Sequence, residues 1–278
     1  MFEKDIRAMN PHSRTLGAMI LLGLVVLLFW GCRSGEMERK MPEFAWNRLA
    51  QKTVYFGHQS VGSNIIEGIR DLLGKNPEVR IRIVETRDPG DFVQPLFAHS
   101  SLGKNEDPKS KCDAFSKLME SGIGGRVNVA FFKFCFVDLM NESDVNQVFS
   151  YYRETLERLK TKYPQTTFVH VTIPLTTVQS GLKAVIKSLV GRQIGGYEDN
   201  IKRNEYNELL LREYAGKDPV FDLARIESTF PDGTRSVFKH KGKIYYSLVP
   251  EYTDDGGHLN PRARVVVAEQ LLLEVAGL

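Results

Sequence analysis

The sequence predicts an α/β domain in which a central, mainly parallel sheet lies between two layers of helices, a three-layer α/β/α sandwich. Three observations predict it. Short β-prone runs alternate with helix-patterned segments from Thr53 almost to the C-terminus. Hydrophobic residues make up 42% of the 278, enough for one sizeable core. No repeat, low-complexity tract or Pro/Ser-rich linker divides the body, so residues 52–278 are expected to form a single domain.

From the N-terminus, Lys4, Arg7 and Arg14 precede an uncharged run, Leu16 to Trp30, followed by Gly31-Cys32 and polar Arg33-Ser34-Gly35-Glu36. An apolar stretch shorter than the roughly 20 residues of a membrane-spanning helix, preceded by positive charge, reads as an export signal. Gly31-Cys32 at its end resembles a bacterial lipobox, which implies lipidation of Cys32. Phe29 and Trp30 depart from that motif, so an uncleaved N-terminal anchor is the first alternative, with ordinary cleavage or a cytosolic chain behind it. Residues 1–35 are thus expected to be a signal or membrane anchor and residues 36–51 a tether. The body is then expected outside the cytoplasm, held at the membrane of a bacterial cell envelope.

Thr53 to Phe56 is β-prone and stops at Gly57. Beyond a Gly57–Gly62 turn, Ile65, Ile66, Ile69, Leu72 and Leu73 recur at helical spacing. Val79 to Val84 reads as a strand, Val127 to Phe134 as a buried strand and Val145 to Lys162 as an amphipathic helix. Phe168 to Ile173 reads as a strand, Asn200 to Tyr214 as a helix, Val220 to Leu223 as a strand and Arg262 to Ala276 as the last helix. Two stretches break the alternation: Asp88 to Asp113 reads as a long irregular connection, and Thr176 to Gly196 as an insertion or lid with Gly195-Gly196 as its hinge.

The 37 basic and 34 acidic residues are dispersed, which argues against nucleic acid as a partner. Apart from Cys32 there are only Cys112 and Cys135, whose spacing fits no zinc or redox signature, so neither metal nor cofactor is expected. A disulfide between them is allowed in an oxidising compartment, but Cys135 sits in an apolar run that suits a buried free thiol.

Ligands of an open parallel sheet bind beyond the carboxyl ends of its strands. Gly57-His58-Gln59-Ser60-Val61-Gly62 ends the first strand and opens a helix, so Ser60 is either a nucleophile near a helix N-terminus or that helix's cap. Near the other end of the chain, Asp255-Gly256-Gly257-His258-Leu259-Asn260 precedes the last helix. Two glycines between Asp255 and His258 let a carboxylate and an imidazole converge, the first orienting the second while its other nitrogen takes a serine proton. Alternatively, Asp255 only turns the chain while Asn260 caps the helix that starts at Pro261.

Together these blocks resemble the SGNH/GDSL hydrolases over roughly Thr53 to the C-terminus, most strongly in Asp255-x-x-His258-Leu259-Asn260. The resemblance implies a flavodoxin-like fold, Ser60 as nucleophile, His258 as general base and acid, and Asp255 as its orienting carboxylate. It also implies an oxyanion hole built from the Ser60 N–H, a glycine N–H assigned to Gly103, and an asparagine amide. Here the sequence departs from the family: Cys135-Phe136-Val137-Asp138 has valine where that asparagine stands, and the first block reads G-H-Q-S. Asn105 is the expected substitute donor, with Lys133 an alternative that could instead pair with Asp138 or a neighbouring acid. His58 is expected to pack under the turn without acting as base. His99 is expected in a loop, either lining the pocket or merely exposed or hydrogen-bonded, His170 in a strand and His240 in a solvated hairpin. The expected function is hydrolysis of O-acyl esters, on an envelope polysaccharide or a small ester. The alternative is a carbohydrate-binding or envelope-assembly protein of the same fold.

Overall fold

A computed structural model describes residues 41–179 and 195–278. The expected signal or anchor with Cys32, and most of the insertion between Thr176 and Gly196, lie outside the described residues. Among the described residues no helix is long and apolar enough to cross a membrane.

The chain enters the body earlier than expected. Helix α1 (Glu43–Leu49) buries Ala45, Trp46 and Leu49, and its Arg48 reaches the carbonyl of Ala276. The interspersed apolar residues of the expected tether thus belong, from Met41 onward, to the core. Strand β1 (Thr53–His58) follows and runs through a tight turn into α2 (Val61–Lys75). Next come β2 (Ile83–Glu85), β3 (Leu96–Ser101), α3 (Pro108–Leu118), β4 (Val129–Phe132) and α4 (Val145–Lys162). After β5 (Thr167–Phe168) and β6 (His170–Val171), α5 (Tyr197–Tyr214) leads to β7 (Val220–Phe221) and the short α6 (Leu223–Glu227). A hairpin of β8 (Val237–His240) and β9 (Lys243–Tyr246) precedes the last helix, α7 (Pro261–Gly277).

The strands β2-β3-β1-β4-β5 form a parallel sheet in that order, and β6 pairs in parallel with β7. The Val169 N–H donates to the Ala130 carbonyl, so the β5–β6 segment runs on beside β4. Alternation along β1 divides the core: Val54 and Phe56 face a cluster with α1, α2 and α7, whereas Tyr55 faces one with α3, α4 and α5. These are the two helical layers of an α/β/α sandwich.

β1 sits at the centre of the order, where successive connections depart in opposite directions. That makes its carboxyl end the switch point at which open parallel sheets place their sites. The expected irregular connection from Asp88 to Asp113 instead holds β3, next to β1 in the sheet, and the first part of α3. His99 and Ser100 gave it a loop-like composition, yet both are buried and hydrogen-bonded: Ser100 Oγ to Tyr55 Oη at 2.6 Å, and His99 Nδ1 to His58 Nε2 at 3.0 Å. A central strand covered on both faces need not alternate once its polar groups find partners.

Candidate active site

Ser60 occupies the bend between β1 and α2 with φ 54° and ψ −116°, a conformation that costs a non-glycine residue free energy. The bend is closed by hydrogen bonds from the Gly62 N–H to the Gln59 carbonyl and from the Ser63 N–H to the Ser60 carbonyl. Gly62 is needed there, because a Cβ would lie 2.3 Å from the Cβ of His58. Although Ser60 stands at the start of a helix, its hydroxyl caps nothing. Its Oγ instead lies 2.6 Å from Nε2 of His258, 198 residues away in sequence.

The loop before α7 is folded by its own aspartate. Asp255 Oδ1 accepts the N–H groups of His258 (2.8 Å) and Gly257 (2.9 Å) and the Thr253 hydroxyl (3.2 Å), while Oδ2 meets His258 Nδ1 at 2.6 Å. Donation by the His258 and Gly257 N–H groups, then by the imidazole, holds the Asp255 carboxyl well below the usual carboxylate range. One carboxylate therefore turns the chain and orients the ring. Gly256 adopts φ 91°, and its carbonyl accepts the Thr177 N–H. Asn260 does cap α7, through the Ala263 N–H, with Pro261 in the first turn. Asn64 on α2 accepts the Leu259 N–H, tying the loop to the helix that follows Ser60.

His258 also stands edge-on to Phe136, with ring centroids 5.5 Å apart, and a Cβ on Gly257 would lie 2.9 Å from the same ring. Phe136 opens the turn Phe136–Asp138 beyond β4, which is gripped by Arg203 of α5. The buried guanidinium donates to the carbonyls of Phe136 (2.8 Å) and Leu139 (3.2 Å) and to Thr176 Oγ1 (2.8 Å), and burial pushes its pKa down to about 10. Nothing in the sequence pattern marks Arg203, which stands in an ordinary helical run, or Phe136 as a wall of the site. Their roles arise only from packing between distant elements.

Of the residues expected to bind an oxyanion, Gly103 is tied to the residue beside Ser60. Gln59 Nε2 donates to the carbonyls of Leu102 (2.8 Å) and Gly103 (2.7 Å), fastening the loop after β3 to the residue beside Ser60. Gly103 has φ 58°, and a Cβ there would lie 2.7 Å from the Lys111 backbone nitrogen, so glycine is required on both grounds. Among the described residues no backbone carbonyl accepts the Ser60 or Gly103 N–H. Asn105 lies two residues on, its Oδ1 accepting from Lys111 Nζ at 3.0 Å. Val137 stands in the Phe136–Asp138 turn and offers no side-chain donor.

Two other expectations concerned Lys133. It is not the partner of Asp138, which is Lys111, and its fully buried Nζ donates to the Phe134 carbonyl at 3.2 Å. Facing that carbonyl and Cys135 Sγ, Lys133 is taken up inside the protein. His58 lies under the bend as expected, tilted against Phe56 and stacked on His99, and burial first, then His99, pushes its imidazole down to about 3. It is engaged with His99 rather than Ser60. His170 lies in β6, and His240 ends β8. Cys112 and Cys135 are both buried free thiols. Among the described residues no cluster of His, Cys, Asp or Glu could hold a metal ion.

No family model and no curated protein sequence matches the chain. Among solved structures it is similar to a candidate platelet activating factor from Streptococcus pneumonia, at 13% identity over 90% of this chain and 97% of that one, TM-score 0.46. It is also similar to a candidate GDSL-like lipase from Parabacteroides merdae, at 14% identity over 82% and 96%, TM-score 0.46. A third is a candidate lipolytic protein of the G-D-S-L family from Desulfitobacterium hafniense, at 11% identity over 80% and 98%, TM-score 0.44. Likenesses at this level say nothing of chemistry.

Proposed function

We propose that the protein is a serine ester hydrolase of the SGNH/GDSL type that removes O-acyl groups, acetyl above all, from a carbohydrate or a small ester at the cell envelope. The observation that carries this reading is the unbroken relay Ser60 Oγ–His258 Nε2 (2.6 Å) and His258 Nδ1–Asp255 Oδ2 (2.6 Å), built from opposite ends of the domain. A serine that only capped its helix would have no need of a strained backbone and an imidazole partner.

In this reading His258 Nε2 takes the Ser60 proton as Oγ attacks the acyl carbonyl, and Asp255 stabilises the imidazolium that results. The tetrahedral oxyanion is met by the N–H groups of Ser60 and Gly103. His258 then passes the proton to the departing alcohol oxygen, leaving an acyl-enzyme. Water enters by the same route in reverse and releases the acid. The His258 and Asp255 side chains are 43% and 57% exposed, which suits a short acyl group presented on a bulky alcohol such as a polysaccharide. Two clefts, about 470 Å3 beside α6 and α7 and about 290 Å3 beside α3 and α4, include no residue of the triad. The envelope location rests on the positively charged, then apolar, N-terminal sequence ending in Cys32.

The test is hydrolysis of p-nitrophenyl acetate by the full chain, together with labelling by a fluorophosphonate. Both are expected in the wild type and absent in Ser60→Ala. A folded wild type that neither turns over esters nor takes the label, but binds glycans, would identify a binding protein instead.

A further inference from the structure

The turn after β4 carries Val137 where an asparagine amide was expected, so the oxyanion position has only two assigned donors, the Ser60 and Gly103 N–H groups. The loop after β3 contains a side chain able to replace the third. Gln59 holds the Gly103 carbonyl beside Ser60, and Asn105 follows two residues later. The loop is strained at one residue and pinned: Glu106 has a positive φ that glycine, as at Gly103, would adopt freely, and the Lys104 N–H donates to Ser110 Oγ. Backbone held in such conformations needs over-determining contacts, and here they come from a buried ion pair.

That pair is Lys111 Nζ and Asp138 Oδ2, 2.5 Å apart, with side chains 1% and 0% exposed. Asp138 also accepts the Cys135 N–H (2.6 Å) and the Glu106 N–H (2.9 Å), so one carboxylate joins the loop after β3 to the turn after β4. Lys111 makes a further contact, to Asn105 Oδ1 at 3.0 Å. An ammonium is a donor only, so it can engage only the oxygen end of an amide. The other end, Nδ2, must then point away from the buried pair.

We propose that Asn105 Nδ2 is the third oxyanion donor, and that the Lys111–Asp138 pair is the positioning device that fixes the amide with its N–H groups outward. This rests on the hydrolase reading. It accounts for Val137, because the amide is supplied by the loop after β3 instead of the turn after β4. It also accounts for placing an ion pair in the interior, where burying two charges is otherwise a doubtful source of stability.

Asn105→Asp separates a donor from a structural residue. The carboxylate keeps the oxygen that faces Lys111 and strengthens that contact, but it has no N–H and repels a developing negative charge. With the full chain and p-nitrophenyl acetate, kcat is expected to fall about a hundredfold to a thousandfold in both Asn105→Asp and Asn105→Ala, with KM little changed. The thermal midpoint of Asn105→Asp should not fall below that of the wild type. The double variant Lys111→Met with Asp138→Asn, which leaves no lone buried charge, should lose kcat although Asn105 is intact. Wild-type kcat in Asn105→Asp would overturn the inference while leaving the hydrolase standing. A wild type that neither turns over nor takes the fluorophosphonate would overturn the hydrolase reading itself, and if the double variant fails to fold, Asn105→Asp still decides.

Discussion

Asp255 shows how much one side chain can organise. Its Oδ1 accepts two backbone N–H groups and a hydroxyl, which would suffice to explain an aspartate in a turn, while Oδ2 is left for the imidazole. The two oxygens respond differently to Asp255→Asn. An asparagine Oδ1 still accepts the Gly257 and His258 N–H groups, so the loop should keep its shape. Its Nδ2, however, would donate to His258 Nδ1 and force the ring into the tautomer with hydrogen on Nε2, which cannot accept the serine proton. The expected outcome is a folded protein with kcat lowered about ten-thousandfold, the loss typical of this substitution in a serine triad. Because the native carboxyl is held below its ordinary range, Asp255 favours the folded state above the unfolded aspartate pKa and loses that contribution as pH falls through its native value. It therefore stays ionised across any neutral assay, and the substitution reports on orientation rather than on titration.

At the scale of elements, the strand–bend–helix unit β1–Ser60–α2 holds Ser60 in a backbone conformation that glycine tolerates and other residues resist. Ser60→Ala and Ser60→Gly both remove the hydroxyl, but only glycine relieves the backbone. Ser60→Gly should therefore be the more stable of the two inactive proteins, by about 1 kcal/mol, despite the greater entropy of its unfolded chain. Equal denaturation midpoints in urea would show that the bend stores no strain. The same unit marks how far the sequence could be read. β1 and α2 were legible because apolar spacing is local, and α4 was legible to its boundaries, Val145–Lys162, because Asp144 caps its start and its periodicity is unbroken. β3 was not: His99-Ser100-Ser101 resembles a loop until Tyr55 and His58 arrive from the neighbouring strand. Ser60, Asp255 and His258 could be proposed as a set because motifs at the two ends matched one pattern. The partner of Asp138 could not be named. Lys133 was five positions away, whereas the true partner, Lys111, comes from α3, 27 residues earlier, and only the register of β3, β1 and β4 brings it in.

Across the whole molecule, the sheet and its two helical layers enclose ionisable groups whose protonation differs between native and unfolded chains. Burial keeps His58 neutral down to about 3 and His170 down to about 4, and it lowers His99 as well. Below about pH 6.5 the unfolded chain binds protons that these native histidines refuse, so stability declines on acidification. Glu227 works in the other direction. It is fully buried at the end of α6, its Oε1 accepts the Leu175 N–H, its Oε2 has no partner among the described residues, and burial pushes its carboxyl up to about 8. Between the unfolded glutamate value and about 8 the native chain holds a proton that the unfolded chain has lost. This contribution is complete at low pH and disappears as pH rises through about 8. Lys133, whose charge helps Glu227 ionise, is itself lowered by burial, so its own linkage opposes that of Glu227 on the alkaline side and the wild-type curve alone cannot separate them. Glu227→Gln separates them, since the amide keeps an acceptor for Leu175 and cannot ionise. Relative to the wild type, Glu227→Gln should gain stability as pH rises from 5 to 8, by at most about 1.4 kcal/mol per pH unit, and hold constant beyond. Urea denaturation of both proteins at each pH measures this directly, and a difference that does not change over that range would mean that Glu227 ionises as freely in the fold as in the open chain.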